Sequence, residues 1–157
     1  MKLKFRGLSA EPNEEDNWKY GYLIEDGREA FIINQVIEAN EQYITIGSWD
    51  LVRPDTVSKS TGSVDKKGKE IYEGDVLQID FIKAIVRFGK YRYYEEKEVL
   101  SGNGFYLECL NVMDPDCISP YEPDVLDKAE IIGNIFENPT LEYHFIGLRP
   151  KEVEEEK

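Results

Sequence analysis

The sequence predicts a mainly β protein, β-rich α+β at most, and three observations carry that expectation. Apolar and polar residues alternate along most of the chain, as in Leu3 and Phe5 against Lys2, Lys4 and Arg6, which is the pattern of a strand with one wet face. Amphipathic helical stripes are nearly absent. Turn residues recur at close spacing, which suits a meander and a small barrel or sandwich. With 157 residues and 12% aromatics, the chain can build a real core and is unlike an acidic disordered tail.

The elements follow in order. After the opening strand, Trp18 to Ile24 reads as a second strand and closes on Asp26-Gly27, a tight hairpin turn because Gly tolerates positive φ. Phe31 to Ile37 is the return strand, and Tyr43 to Gly47 the next. These make a β-meander lobe over residues 1–55, with Trp18 and Trp49 as core or inter-lobe plugs. Residues 56–75 change character: Ser58 to Ser63 is small and polar, and Asp65-Lys66-Lys67-Gly68-Lys69 is a reverse turn, with Gly in the left-handed position. This stretch is the expected linker.

A second β lobe is expected over 76–145. Leu77, Ile79 and Phe81 fall on one face of a strand, as do Ala84, Val86 and Phe88 of the next. Gly102-Asn103-Gly104 is expected to turn the chain into Phe105 to Leu110. Pro115, Pro120 and Pro123 mark a loop, with a short helical turn at 125–129, and Ile131 to Phe136 is the last clear strand, halted at Asn138-Pro139. Residues 146–157 form an acidic tail.

Charge excludes more than it suggests. The net charge is −13, with 10 basic and 14 acidic residues over 1–74 against 9 and 18 over 75–157. The run from Asp114 to Glu130 holds six carboxylates and one lysine. Nucleic-acid affinity comes from Lys and Arg displacing counterions, so a general nucleic-acid binder is disfavoured. No apolar run approaches the roughly 20 residues of a membrane span, and the charged N-terminus lacks a signal peptide's apolar region. Cys109 and Cys117 are then expected as free thiols in a cytoplasmic protein.

Catalytic and metal chemistry find no constellation. His144 is the only histidine, and no motif places Ser119 or Cys109 beside it. Asp114, Asp116, Asp124 and Asp127 offer oxygen ligands without the calcium-loop spacing, so no metal or cofactor is expected. The one place where basic and aromatic residues interleave is Lys90-Tyr91-Arg92-Tyr93-Tyr94. Tyr and Arg anchor many protein interfaces, and Glu95, Glu96 and Glu98 cancel the local positive charge, so a protein partner is favoured there over nucleic acid.

A longer run carries a resemblance. Pro54-Asp55-Thr56-Val57, then Thr61-Gly62, then Asp65-Lys66-Lys67-Gly68-Lys69-Glu70-Ile71-Tyr72-Glu73-Gly74-Asp75 resemble the central signature of the YopX-like family of phage and prophage proteins. Lys4-Phe5-Arg6 with Trp18 to Gly21 resembles that family's opening, and Ile132 to Pro139 its closing strand. The pattern is broken at Ser58, Ser60 and Ser63, where it calls for a glycine, an aromatic and an apolar residue. The resemblance implies a Src-homology-three-like small barrel in the second lobe, a host-cell cytoplasmic setting, and no settled activity. The signature residues themselves read as scaffold. Gly68 and Gly74 suit turns, Ile71 and Tyr72 can plug a core between the lobes, and Glu70, Glu73 and Asp75 can accept turn amides. The expected function is a non-enzymatic accessory module that binds a protein or its own copies. The alternative is an acidic DNA-mimicking inhibitor of a host nucleic-acid enzyme.

Overall fold

The computed structural model describes residues 4–11, 17–111, 118–121, 126–142, 145–146 and 149–150. It divides into two compact units, Met1–Gly62 and Ser63–Lys157. Both are built from antiparallel strands, so the chain is mainly β. Among the described residues, no helix is long and apolar enough to cross a membrane.

In the first unit β1 (Phe5–Leu8), β2 (Trp18–Asp26), β3 (Glu29–Ala39), β4 (Ile44–Val52) and β5 (Ser58–Val64, ending in the second unit) are ordered β4-β3-β2-β1-β5. Asp26 pairs with Glu29 across a two-residue turn, with Gly27 at φ +63. The far end of β4 returns to β1: Ser9 bridges Val52, and the Ala10 amide donates to the Leu51 carbonyl at 3.0 Å. A single 3-10 turn at Pro54–Thr56 locks this junction. The Thr56 hydroxyl donates to the Arg53 carbonyl (2.7 Å) and accepts the buried Leu8 amide (2.9 Å). Ala30, Ile32 and Val52 form the core on the inner side of the sheet, with Phe5, Leu23 and Val57 packed on them.

The stretch expected as a linker thus contains β5. Ser58 and Ser60, two of the positions that break the family pattern, are buried. Their hydroxyls are used locally: Ser58 donates to the Thr56 carbonyl and Ser60 accepts the Gly62 amide, both at 3.0 Å. Trp49 is not a core plug, since it is 58% exposed on the outer side of the sheet. Trp18 is half-buried beneath the Arg6 guanidinium, 4.3 Å from its ring centroid.

The second unit holds β6 (Glu70–Tyr72), β7 (Asp75–Ile79), β8 (Ile82–Glu95), β9 (Glu98–Cys109), β10 (Ile118–Pro120), β11 (Ala129–Asn134) and a small hairpin of β12 (Phe145–Ile146) and β13 (Arg149–Pro150). Its main sheet runs β10-β9-β8-β7-β11, and no pairing joins β10 to β11 among the described residues. Both faces of its base carry core. Leu77, Ile79, Ala84, Val86, Leu107 and Ala129 pack under Ile71 and Leu126 on one face. Val76, Ile85 and Leu110 pack with Ile135 and Leu141 on the other.

Two expectations fail here for local reasons. Leu77 and Ile79 are buried, but Phe81 does not continue their face. The chain turns at Asp80, whose φ is 53, and leaves Phe81 92% exposed. Asn111 fixes that turn, its amide group donating to the Phe81 carbonyl and its oxygen accepting the Lys83 amide, both at 2.7 Å. Gly102-Asn103-Gly104 is also not a turn, because all three lie inside β9, opposite Tyr91, Lys90 and Gly89. The reversal falls at Glu96 and Lys97, with φ of 49 and 77, the two positive values of a tight hairpin turn. The aligned pairs Val86–Leu107 and Phe88–Phe105 set this register from the packed base outward.

Candidate binding site

The β8–β9 hairpin keeps one register from Ala84–Cys109 to Glu95–Glu98. β7 covers only its base, up to Ile85, and β10 covers only Tyr106 to Glu108. Among the described residues, 88–95 and 98–105 therefore pair with each other alone, as a two-stranded ribbon.

Alternation then divides the expected site. Lys90, Arg92 and Tyr94 stand on one side of the ribbon with their partners Asn103 and Ser101, while Tyr91 and Tyr93 stand on the other. On the tyrosine side, Tyr91 stacks on Tyr106 at 5.0 Å between centroids and on Tyr93 at 6.0 Å. Gly102 makes room for that stack, since a Cβ there would lie 2.5 Å from the Tyr91 ring. Below it, the Arg87 guanidinium donates from both Nε (3.1 Å) and a terminal nitrogen (3.0 Å) to Glu108. A cleft of about 820 Å³ opens along the ribbon, lined by Lys90, Tyr91, Arg92, Tyr94, Ser101, Gly102, Asn103 and Ile118. Tyr94 is 79% exposed. Glu95, Glu96 and Glu98 line a small separate recess at the tip. The cleft offers two cations, hydroxyls, an amide and an aromatic edge. It holds no nucleophile–base pair, and no group of three or more metal-ligating side chains occurs among the described residues.

Ser101, Gly102, Asn103, Tyr106 and Ile118 are site residues that the sequence reading passes over. Tyr106 lies twelve residues beyond Tyr94 with a turn between, and only the register shows that it meets Tyr91. His144, Asp114, Asp116, Asp124 and Cys117 lie outside the described residues. Cys109 is buried.

The signature residues form a different kind of structure. Asp65 is buried, and its carboxylate accepts three amides: Lys67 and Lys69 at 2.9 Å, closing its own turn, and Ile131 at 3.0 Å on β11. The Lys66 amide adds a bond to the Ala129 carbonyl (2.9 Å). Burial pushes the Asp65 carboxyl up, but the three amides and the nearby Lys69 charge together hold it below the ordinary aspartate value. At the surface the Lys67 ammonium sits 2.6 Å from Glu130. That hydrogen bond and charge raise the Lys67 pKa and lower that of Glu130.

Gly68 takes φ +83 in the turn. Ile71 is fully buried in the second unit's own core, and Tyr72 is buried beside it in sequence. The Tyr72 amide donates to the buried Asp75 carboxylate at 2.8 Å, across Glu73-Gly74. Gly74 has φ +89, donates to the Val86 carbonyl (2.8 Å) and accepts the Ile135 amide (3.0 Å). A Cβ there would lie 2.9 Å from the Phe136 ring. Thr61 is buried, Gly62 takes φ +80, and Glu70 and Glu73 are half-buried. In the closing motif, Asn134 accepts the Phe136 and Glu137 amides at 3.0 and 2.9 Å.

So the run from Asp65 to Asp75, together with Asn134 to Phe136, is bound by side chain–backbone and backbone–backbone bonds into one junction of β6, β7 and β11. No curated protein gives a significant match to this sequence. The YopX protein family model matches residues 4–142, which take in this junction, both of its motifs and the ribbon, and the chain belongs to the YopX family.

Proposed function

We propose that the protein is a non-enzymatic accessory module encoded by a phage or prophage, working in the host cytoplasm by binding another protein through the β8–β9 ribbon. One observation carries this reading. The ribbon extends past the sheet that stabilises it, yet it holds an ordered tyrosine stack on one side and Lys90, Arg92 and Tyr94 on the other. Side chains so placed add little to a core, while Tyr and Arg on a rigid support suit interface anchoring. The reading calls for no cofactor or metal. For the second unit, we take the Src-homology-three-like barrel as the parent architecture, with three short antiparallel strands beside β8–β9 as an elongated hairpin.

The test is capture from phage-infected host lysate by the wild type and by a Tyr91→Ala/Arg92→Ala variant, with melting measured on both. A protein retained by the wild type and lost from an equally stable variant supports the reading. Equal capture by both, or none by either, overturns it. The carboxylates of Glu95, Glu96 and Glu98 at the ribbon tip favour one second reading, mimicry of a nucleic-acid backbone toward a basic partner. That binding would weaken steeply between low and moderate salt.

A further inference from the structure

We propose that two copies of this chain associate face to face through the outer side of the β2–β3–β4 sheet. The inner side of that sheet is filled by its own core. The outer side carries two parallel rows, Tyr22–Ile33–Trp49 and Ile24–Phe31–Leu51, each aligned by the strand pairing. Trp49 is 58%, Tyr22 56%, Ile24 44% and Leu51 40% exposed. Between the rows lies a shallow apolar cleft of about 250 Å³ lined by Ile24, Phe31, Ile33, Ile46 and Trp49.

Charge selects a second copy as the occupant, and the area permits it. Large side chains carry about 150–250 Å² each, so these exposed shares present roughly 300–500 Å² of apolar surface. That lies within the range of a monomer's largest patch and, with a polar rim, reaches the ~800 Å² per partner of a stable pair only at its upper end. The patch is also charged oppositely at its two ends along β2. At one end the Lys4 ammonium sits over the Tyr20 ring, 5.8 Å from its centroid. At the other, Asp26 stands opposite Glu29. A two-fold axis lying in the contact plane, across the strands and between the two rows, sets each row of one copy on the other row of its partner. The same operation brings each Lys4 end onto the partner's Asp26–Glu29 end. Such a contact is self-complementary and closes at two copies. It uses none of the ribbon's residues, so it stands or falls separately from the proposed function.

Analytical ultracentrifugation of the full chain from low micromolar to near millimolar concentration is expected to show a monomer–dimer equilibrium. Trp49→Lys and, as a second variant, Tyr22→Ala are expected to weaken it by about thirtyfold or more with unchanged circular dichroism. Lys4→Glu and Asp26→Lys should each weaken it about tenfold or more. Mixing those two variants should restore it, because Lys4 again faces Asp26 and Glu29 at one end and the two introduced, opposite charges face each other at the other. A chain that stays monomeric, as it would if a different protein covers this face, overturns the proposal. So does a dimer indifferent to Trp49→Lys and Tyr22→Ala, or the absence of recovery on mixing.

Discussion

The turn at Asp65–Lys69 and the ribbon tip at Glu95–Glu98 are both short antiparallel reversals in the same unit, but they are held in opposite ways. The first is tied from outside itself, with Asp65 bonded to β11 and Lys66 to the Ala129 carbonyl. Among the described residues, the second is held only by its own ladder and by rings stacked along it. A change in the first should therefore be felt as lost stability of the whole unit. A change in the second should be felt locally, as lost surface.

Five substitutions probe that contrast, from the largest expected effect at Gly74 to the smallest at Phe81. Gly74→Ala meets both a left-handed backbone and the Phe136 ring, so urea unfolding should show a loss of about 2–4 kcal/mol. Gly68→Ala has a similar φ but open space around its Cβ and should lose only about 1 kcal/mol. Equal losses at the two glycines would mean that the Phe136 contact does not constrain the junction.

Asp65→Asn turns an amide group toward at least one of three donors, and should destabilise by about 1–3 kcal/mol near neutral pH. Because the folded carboxyl titrates below the ordinary value of 3.8, its contribution is complete above that value. It fades as pH falls through the lower, folded pKa. The gap between wild type and Asp65→Asn should thus narrow below about pH 4, and a gap that stays constant into acid would show that the charge does not matter.

Gly102→Ala should push Tyr91 out of its stack at a stability change of only about 0.5–1.5 kcal/mol. Its signature is a shift in tyrosine ring resonances by NMR, with the base of the sheet unmoved. Phe81→Ser alters the most exposed large apolar side chain among the described residues and should leave stability within about 0.5 kcal/mol.

Much of the first kind of structure is legible in the sequence, because it is local. Asp65 with Gly68, Glu73-Gly74 before Asp75, and Asp26-Gly27 all announce turns by residues that accept amides or tolerate positive φ. The ribbon reversal is not legible, since Glu96 and Lys97 carry no such chemistry, while Gly102 and Gly104 resemble a turn yet lie within β9, where Gly102 seats Tyr91. The exposure of Trp49 is hidden for another reason. Ala30-Phe31-Ile32-Ile33 is apolar on both faces, so alternation cannot say which side of the sheet is inside.

The unbroken register of β8 and β9 has a consequence for how this protein can vary. Side chains repeat every two residues along a strand, so removing Arg92-Tyr93 together with their partners Leu100-Ser101 shortens the ribbon while returning every remaining side chain to its original side. Removing one residue from each strand instead would turn over everything distal to the cut. The ribbon is thus an extension adjustable in steps of two, and its reach can change while the packed base beneath it stays the same.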